Sequence, residues 1–182
     1  MVEQILKLFT LDKMNYIKFR DEIIELYIQA FTTGDFAQLL TRDSVVSTLD
    51  EIIDAGQGLM AFIEGKLVGM LAATPLIEHL DYQFDGYDDI EECKAIYINE
   101  LMVHREFRGR GIADKILRDF LEKTAYDYSY AVIRVWEKNV PALSLYKKFG
   151  FKQIARITQK KQKSTGDELL MDKIYLYKKL HN

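Results

Sequence analysis

Apolar residues recur along this chain with two periods, and the switches between them lay out its elements. Ile5 to Phe9 alternates as a strand does, and Tyr16 to Phe31 then carries Phe19, Ile23, Leu26, Tyr27 and Ala30 at the spacing of a core-facing helix. Asp43 or Ser44 can cap a second helix running through Ile53, which Gly56 and Gly58 terminate. Two apolar runs, Leu59 to Ile63 and Leu67 to Ala73, flank Glu64-Gly65-Lys66 and predict a hairpin. After a polar stretch beyond Pro75, Ala95 to Val103 reads as a strand. From Gly111 the apolar positions Ile112, Ile116, Leu117, Phe120 and Leu121 return to helical spacing, ending near Tyr126. Ala131 to Trp136 is a β-branched strand leading to Asn139 and a short helix that Gly150 ends. Phe151 to Ile157 and Leu169 to Tyr177 are final strands, joined by a polar turn at Lys160 to Asp167. This order predicts a mixed α/β fold with hairpins as well as crossovers. No repeat, linker or low-complexity tract interrupts it, so one domain over residues 1–182 is expected.

Composition narrows the function classes. A chain of 182 residues that is 48% hydrophobic can bury a sizeable core. Its net charge of −3 argues against general nucleic-acid binding, which needs a basic face. No apolar run reaches membrane-spanning length and Met1 to Gln4 leads directly into a strand pattern, so a cytoplasmic protein without a membrane partner is expected. Cys93 has no second cysteine to pair with, and the three histidines lack metal-ligand spacing, so no metal is expected. Glu78, Asp81, Asp85, Asp88, Asp89, Glu91 and Glu92 form an acidic stretch without lysine or arginine. It reads either as a solvated loop or as an electrostatic funnel for a cationic ligand.

The chemistry concentrates at Leu101 to Ala113, where an apolar strand passes through a short basic turn into a helix. Gly109 and Gly111 allow the backbone to curl, and the first amides of the helix then lack intrahelical partners. With Arg108 and Arg110 beside them, these groups suit a pyrophosphate. A dinucleotide fingerprint would need glycine where Asp114 stands, and the P-loop sequence is absent. The pattern Arg-x-x-Gly-x-Ala, from Arg108 through Gly111 to Ala113, resembles the signature of the GNAT-type N-acetyltransferases. Asn139-Val140-Pro141-Ala142-Leu143-Ser144-Leu145-Tyr146-Lys147-Lys148-Phe149-Gly150-Phe151 resembles that family's second signature. Arg105 replaces a proline that many members carry, which bears on loop stiffness.

The resemblance covers essentially the whole chain and implies a mostly antiparallel sheet, splayed between the strands ending at Val103 and Trp136, with helices on both faces. Acetyl-CoA would enter the split as co-substrate, held by Leu101, Met102, Val103, Arg108, Gly109, Arg110, Gly111, Ile112, Ala113 and Asn139. A backbone amide at Leu101 or Met102 would polarise the thioester. Tyr146 stands at the position of the family's general acid, and a phenol is protonated at neutral pH yet can supply a thiolate. Glu100 is the first choice for the base that takes the acceptor's proton, with Glu91 and Glu92 in reserve. His104 is expected to be a loop residue. The implied activity is transfer of acetyl to a primary amine of a small molecule or peptide, of aminoglycoside type among others. The competing reading is a regulatory domain that binds acyl-CoA without turnover. Monomer and homodimer are both open.

Overall fold

A computed structural model describes residues 5–33, 37–78, 90–162 and 166–181. The helices are α1 (Lys13–Lys18), α2 (Arg20–Phe31), α3 (Arg42–Ala55), α4 (Ile112–Thr124) and α5 (Val140–Lys148). The strands are β1 (Leu6–Leu11), β2 (Gln57–Ile63), β3 (Lys66–Pro75), β4 (Ala95–Val103), β5 (Tyr130–Trp136), β6 (Lys152–Gln162) and β7 (Glu168–Lys179). The strands form one sheet in the order β1-β2-β3-β4-β5-β7-β6. Every pairing is antiparallel except β4 with β5, which α4 joins by a crossover. Among the described residues, no helix is long and apolar enough to cross a membrane.

The sheet is covered on both faces, which is why β3 is an unbroken apolar run rather than an alternating one. On one face α4 presses Ile112, Ile116, Leu117 and Phe120 against Leu71, Ile98 and Ile133, with Tyr146 of α5 in the same core. On the other, α1 to α3 bury Ile23, Leu26, Tyr27 and Leu49 against Met60, Met70 and Met102. Farther along that second face, Leu76 and Ile90 close over Tyr97, Val132 and Tyr175.

Two local expectations need correction. The helix read as continuous from Tyr16 breaks at Phe19, whose backbone leaves helical geometry at φ −113° and ψ 23°. Asp12 caps α1 by accepting from the Asn15 amide, and the break turns the Phe19 ring onto Phe62 with centroids 5.0 Å apart. The cap of α3 is Thr41 rather than Asp43 or Ser44; Ser44 answers it from the third helical position, completing a reciprocal capping box. Gly58 does not terminate α3 but lies within β2.

At Gly58 the neighbouring strand approaches so closely that a Cβ would stand 2.0 Å from the Leu71 carbonyl oxygen. Neither backbone can retreat without breaking the β2–β3 ladder. Gly58→Ala should therefore cost at least about 2 kcal/mol, in the range of overpacked cores. An unchanged denaturant midpoint in that variant would show that the sheet accommodates the methyl group.

Candidate active site

The opening at the centre of the sheet begins with a register fault. Ala72 stands opposite Glu100 while Ala73 stands opposite Ile98, so Asn99 is an extra residue in β4. Such a bulge bends its strand. Thr74 on β3 donates its hydroxyl to Asn99 Oδ1 at 3.1 Å and holds the bulge in place. On the other edge of β4, pairing with β5 runs only from Ala95 to Ile98 against Tyr130 to Ile133. Beyond Ile98 the strands part, leaving Asn99 to Val103 facing Arg134 to Trp136 across a split.

The ladder identifies which groups face that split. His104 donates its amide to the Val68 carbonyl at 2.8 Å. Alternation along an antiparallel pair then turns the Met102 amide and carbonyl toward Met70, and those of Leu101 and Val103 toward the split. Arg108 Nε donates to the Val103 carbonyl at 3.2 Å from that open side. Of the two expected thioester-polarising positions, only Leu101 presents its amide; Met102 points its backbone at β3 and buries its side chain under α2 and α3.

After Val103 the chain makes a short helical turn at Arg105–Phe107 and enters α4 through two glycines. Gly109 and Gly111 both have φ 75°, a conformation costly for any residue with a Cβ, and nothing lies within 4 Å of the space that Cβ would fill. Gly111 caps α4 without a side chain, so the amides of the first turn point outward. The Ile112 side chain anchors this end in the core, with Ala113 beside it half-buried. Arg110 reaches back to the Glu106 carbonyl at 3.2 Å and lies 4.9 Å above the Phe107 ring. Asp114 would oppose an anion here, but Lys148 and Arg118 both hold its carboxylate. The hydrogen bond from Lys148 leads the causes that depress its pKa. Small open glycines, unpaired amides and offset negative charge fit a phosphate.

Across the split, Asn139 caps α5 by accepting from the Ala142 amide at 3.3 Å, with Pro141 in the first turn. That helix carries Tyr146, which is buried with its ring 5.7 Å from Phe151 rather than on Phe149. Its pKa is pushed up by burial and then by the negative charge of Glu100. Glu100 and Tyr146 are thus within electrostatic reach of each other, although they come from different elements and different faces of the sheet.

Glu100 has company that the sequence did not announce. Tyr27 of α2 donates its hydroxyl to Glu100 Oε1 at 3.0 Å; burial raises its pKa, and the carboxylate raises it further. On the same face, β5 contributes Arg134, whose Nη1 donates to the Tyr175 hydroxyl at 3.3 Å. Burial works against the Arg134 charge, but Tyr97, Tyr175 and Glu100 outweigh it. Tyr27 was visible only as one member of a core stripe, though a tyrosine there brings a hydroxyl that needs a partner. Arg134 interrupts the apolar run Ala131 to Trp136, and a charge inside a buried strand is itself a signal.

The other candidates lie elsewhere. Glu91 pairs with Lys94 at 2.7 Å and Glu92 is exposed, both at the opposite end of β4. His104 sits past the strand within 3.1 Å of Gln29, and burial lowers its pKa. Cys93 is exposed. Of the acidic stretch, Glu78 is exposed, and Asp81, Asp85, Asp88 and Asp89 lie outside the described residues.

Residues 19–151 match the family model described as Acetyltransferase (GNAT) family. The chain belongs to that family, as its two signatures suggested. It is 25% identical over 89 residues to the spermine/spermidine N(1)-acetyltransferase of Bacillus subtilis, which spans 47% of this chain and 59% of that protein. It is 27% identical over 113 residues to an N-alpha-acetyltransferase of Sulfolobus acidocaldarius, spanning 58% and 62%. The matches thus cover about three fifths of the length of these relatives. An N-acetyltransferase structure from Staphylococcus aureus superimposes with TM-score 0.72 at 16% identity, over 97% of this chain and 99% of the other. A Salmonella typhimurium structure with its cofactor acetyl-CoA gives 0.68 at 16% identity, over 98% and 95%. These superpositions establish the fold: a seven-stranded, mostly antiparallel open sheet with helices on both faces.

The ion pairs on Asp114 tie the first turn of α4 to α5 and make a pH-dependent contribution to stability. Because the folded pKa is depressed below 3.8, that contribution is complete above 3.8 and is lost as pH falls through the folded value. Asp114→Asn should melt below the parent at pH 7, with the gap narrowing as pH falls below 3.8. A gap independent of pH would assign the effect to packing instead.

Proposed function

We propose that the protein transfers the acetyl group of acetyl-CoA to a primary amine by direct attack within a ternary complex. The observation that carries this reading is the parting of β4 from β5 after Ile98, which leaves Glu100 on one lip of the opening with Tyr146 of α5 within reach of its charge. The names of the two relatives, a spermine/spermidine N(1)-acetyltransferase and an N-alpha-acetyltransferase, share acetylation at nitrogen, and a primary amine is the class we adopt.

In this reading the turn from Arg108 to Ala113 holds the pyrophosphate, through the amides at the start of α4 and the guanidinium groups of Arg108 and Arg110. The open edge of β4 at Leu101 and Val103 holds the pantetheine arm, while Asn139 positions α5. The bound thioester supplies the activated acetyl group. The Leu101 amide, left unpaired by β5, polarises its carbonyl. An alkylammonium is protonated at neutral pH, so Glu100 takes its proton and frees the lone pair. Tyr27 steadies the carboxylate in this task by donating its hydroxyl to Oε1.

The freed amine attacks the thioester carbonyl, and as the C–S bond breaks Tyr146 gives its proton to the departing sulfur; the second proton shed by the nitrogen as it becomes an amide restores the phenol. Burial keeps the phenol neutral until it is needed, and the same low-dielectric surroundings penalise a thiolate, so both partners of the transfer shift in the same direction. The phenol therefore remains a competent donor despite its raised pKa. Among the described residues its hydroxyl has no hydrogen-bond partner, which leaves it available to a sulfur in the split.

Release of CoA thiol against a panel of amines tests the activity. Tyr146→Phe should lower turnover about 10²- to 10⁴-fold with acetyl-CoA affinity nearly unchanged. Glu100→Gln should be impaired most at neutral pH and recover partly at alkaline pH, where the amine is already deprotonated. Undiminished turnover in both variants would remove the pair from the mechanism. Saturable acetyl-CoA binding with no amine-dependent thiol release would favour a silent acyl-CoA-binding domain.

The cradle has its own test. Gly111→Val forces a β-branched residue to positive φ and places its methyl groups where phosphate oxygens would approach the amides. Calorimetry should show acetyl-CoA affinity reduced at least about tenfold in variant protein that remains folded. Full affinity would move the pyrophosphate elsewhere.

A further inference from the structure

Arg134 is the first residue of β5 beyond its last pairing with β4, and Glu100 lies on the facing lip of β4. Both occupy the face covered by α2 and by the tyrosines 97 and 175, not the face of α4. No ion pair within 4.0 Å joins Glu100 to Arg134 among the described residues, yet each lies within reach of the other's charge. Of the five N–H donors of the guanidinium, one is occupied among the described residues, by the Tyr175 hydroxyl. Arg134 is only half-buried, and it lies at the point where β5 leaves β4. A planar fork of free donors beside a carboxylate is a matched pair of recognition groups: one for an ammonium, the other for an oxyanion.

We propose, building on the acetyltransferase reading, that the acceptor is a free amino acid whose ammonium meets Glu100 and whose carboxylate is gripped by Arg134. The phosphates of CoA do not account for Arg134, because their cradle lies at the start of α4, beyond the far end of β4. A polyamine without an anionic group would bring its charge against Arg134 at close range, and like charges there raise the cost of binding. The positive group on β5 therefore narrows the cationic acceptor read from the acidic stretch to an amine that also carries a negative charge.

The test compares matched acceptors, phenylalanine with phenylalaninamide and phenethylamine, and lysine with lysinamide and cadaverine. In the parent protein kcat/KM should favour each amino acid over its amide and its amine about ten- to a hundredfold, as hydrogen bonds to a charged partner do. Arg134→Gln should collapse that ratio toward one through KM of the amino acid, and Arg134→Lys should keep part of it. Equal or better use of the amides and amines by the parent would overturn the inference, as would an equal loss on all acceptors in Arg134→Gln. If no amine releases CoA, the acetyltransferase reading fails, and calorimetry decides this one separately. N-acetylphenylalanine should then bind the CoA-saturated parent at least about tenfold tighter than its amide, and Arg134→Gln should erase the difference. Equal binding of acid and amide would sink it.

Discussion

One extra residue in β4 sets the conditions for everything at the centre of this molecule. A β-sheet satisfies its backbone groups by continuous pairing, and unpaired groups in an apolar interior are costly. With Asn99 inserted between Ile98 and Glu100, β4 keeps its contact with β3 but bends from β5 after four paired positions. The Thr74 hydroxyl on Asn99 makes the bend a specified feature of the fold. What the sheet gives up in pairing it regains as an edge of oriented amides at the interior of the protein. Such an edge is otherwise available only at the margins of a sheet.

The parting of the strands also decides which side chains can meet. In an intact sheet Glu100 and Tyr146 would be separated by the sheet itself, because one faces α2 and the other lies in the core under α4 and α5. With the sheet open, burial raises the pKa of the Tyr146 phenol and the charge of Glu100 adds to that shift. A charged Glu100 disfavours a phenolate nearby, in the same direction as burial.

Much of this was legible in the chain, and what escaped has a common cause. The hairpin around Glu64-Gly65, the apolar face of α4 and the two glycines before it are local matters of turn chemistry and periodicity. Sequence spacing reports those directly. The orientation of the Leu101 amide depended on a pairing with β3, some thirty residues away, and a bulge shifts that register silently. Tyr27 and Arg134 come from α2 and β5, 73 residues before and 34 after Glu100. Only the fold brings them to the same carboxylate. The break at Phe19 escaped because helical spacing continues through it; the reason for it is tertiary, the docking of the ring on Phe62. The acidic stretch could be counted in the sequence but its central residues, 79–89, lie outside the described structure.

The charges around the split are arranged along its length rather than massed. At the α4 end, Arg108 and Arg110 stand with the unpaired amides of the first turn, and the nearby Asp114 is offset by Lys148 and Arg118. A single carboxylate, Glu100, marks the middle. Arg134 then restores positive charge on the acceptor face. A ligand that is anionic throughout would meet Glu100, and one that is cationic throughout would meet Arg134, so neither profile suits the whole length. The proposed reaction suits it, with two molecules entering from opposite ends, one leading with a neutral thioester behind a phosphate and the other leading with an amine. The first then places its least charged part, the thioester, where the strands diverge. The desolvation that bond formation requires falls there on the reacting groups, while the phosphates stay at the α4 rim and the ammonium and carboxylate of the proposed acceptor meet the counter-charges of Glu100 and Arg134.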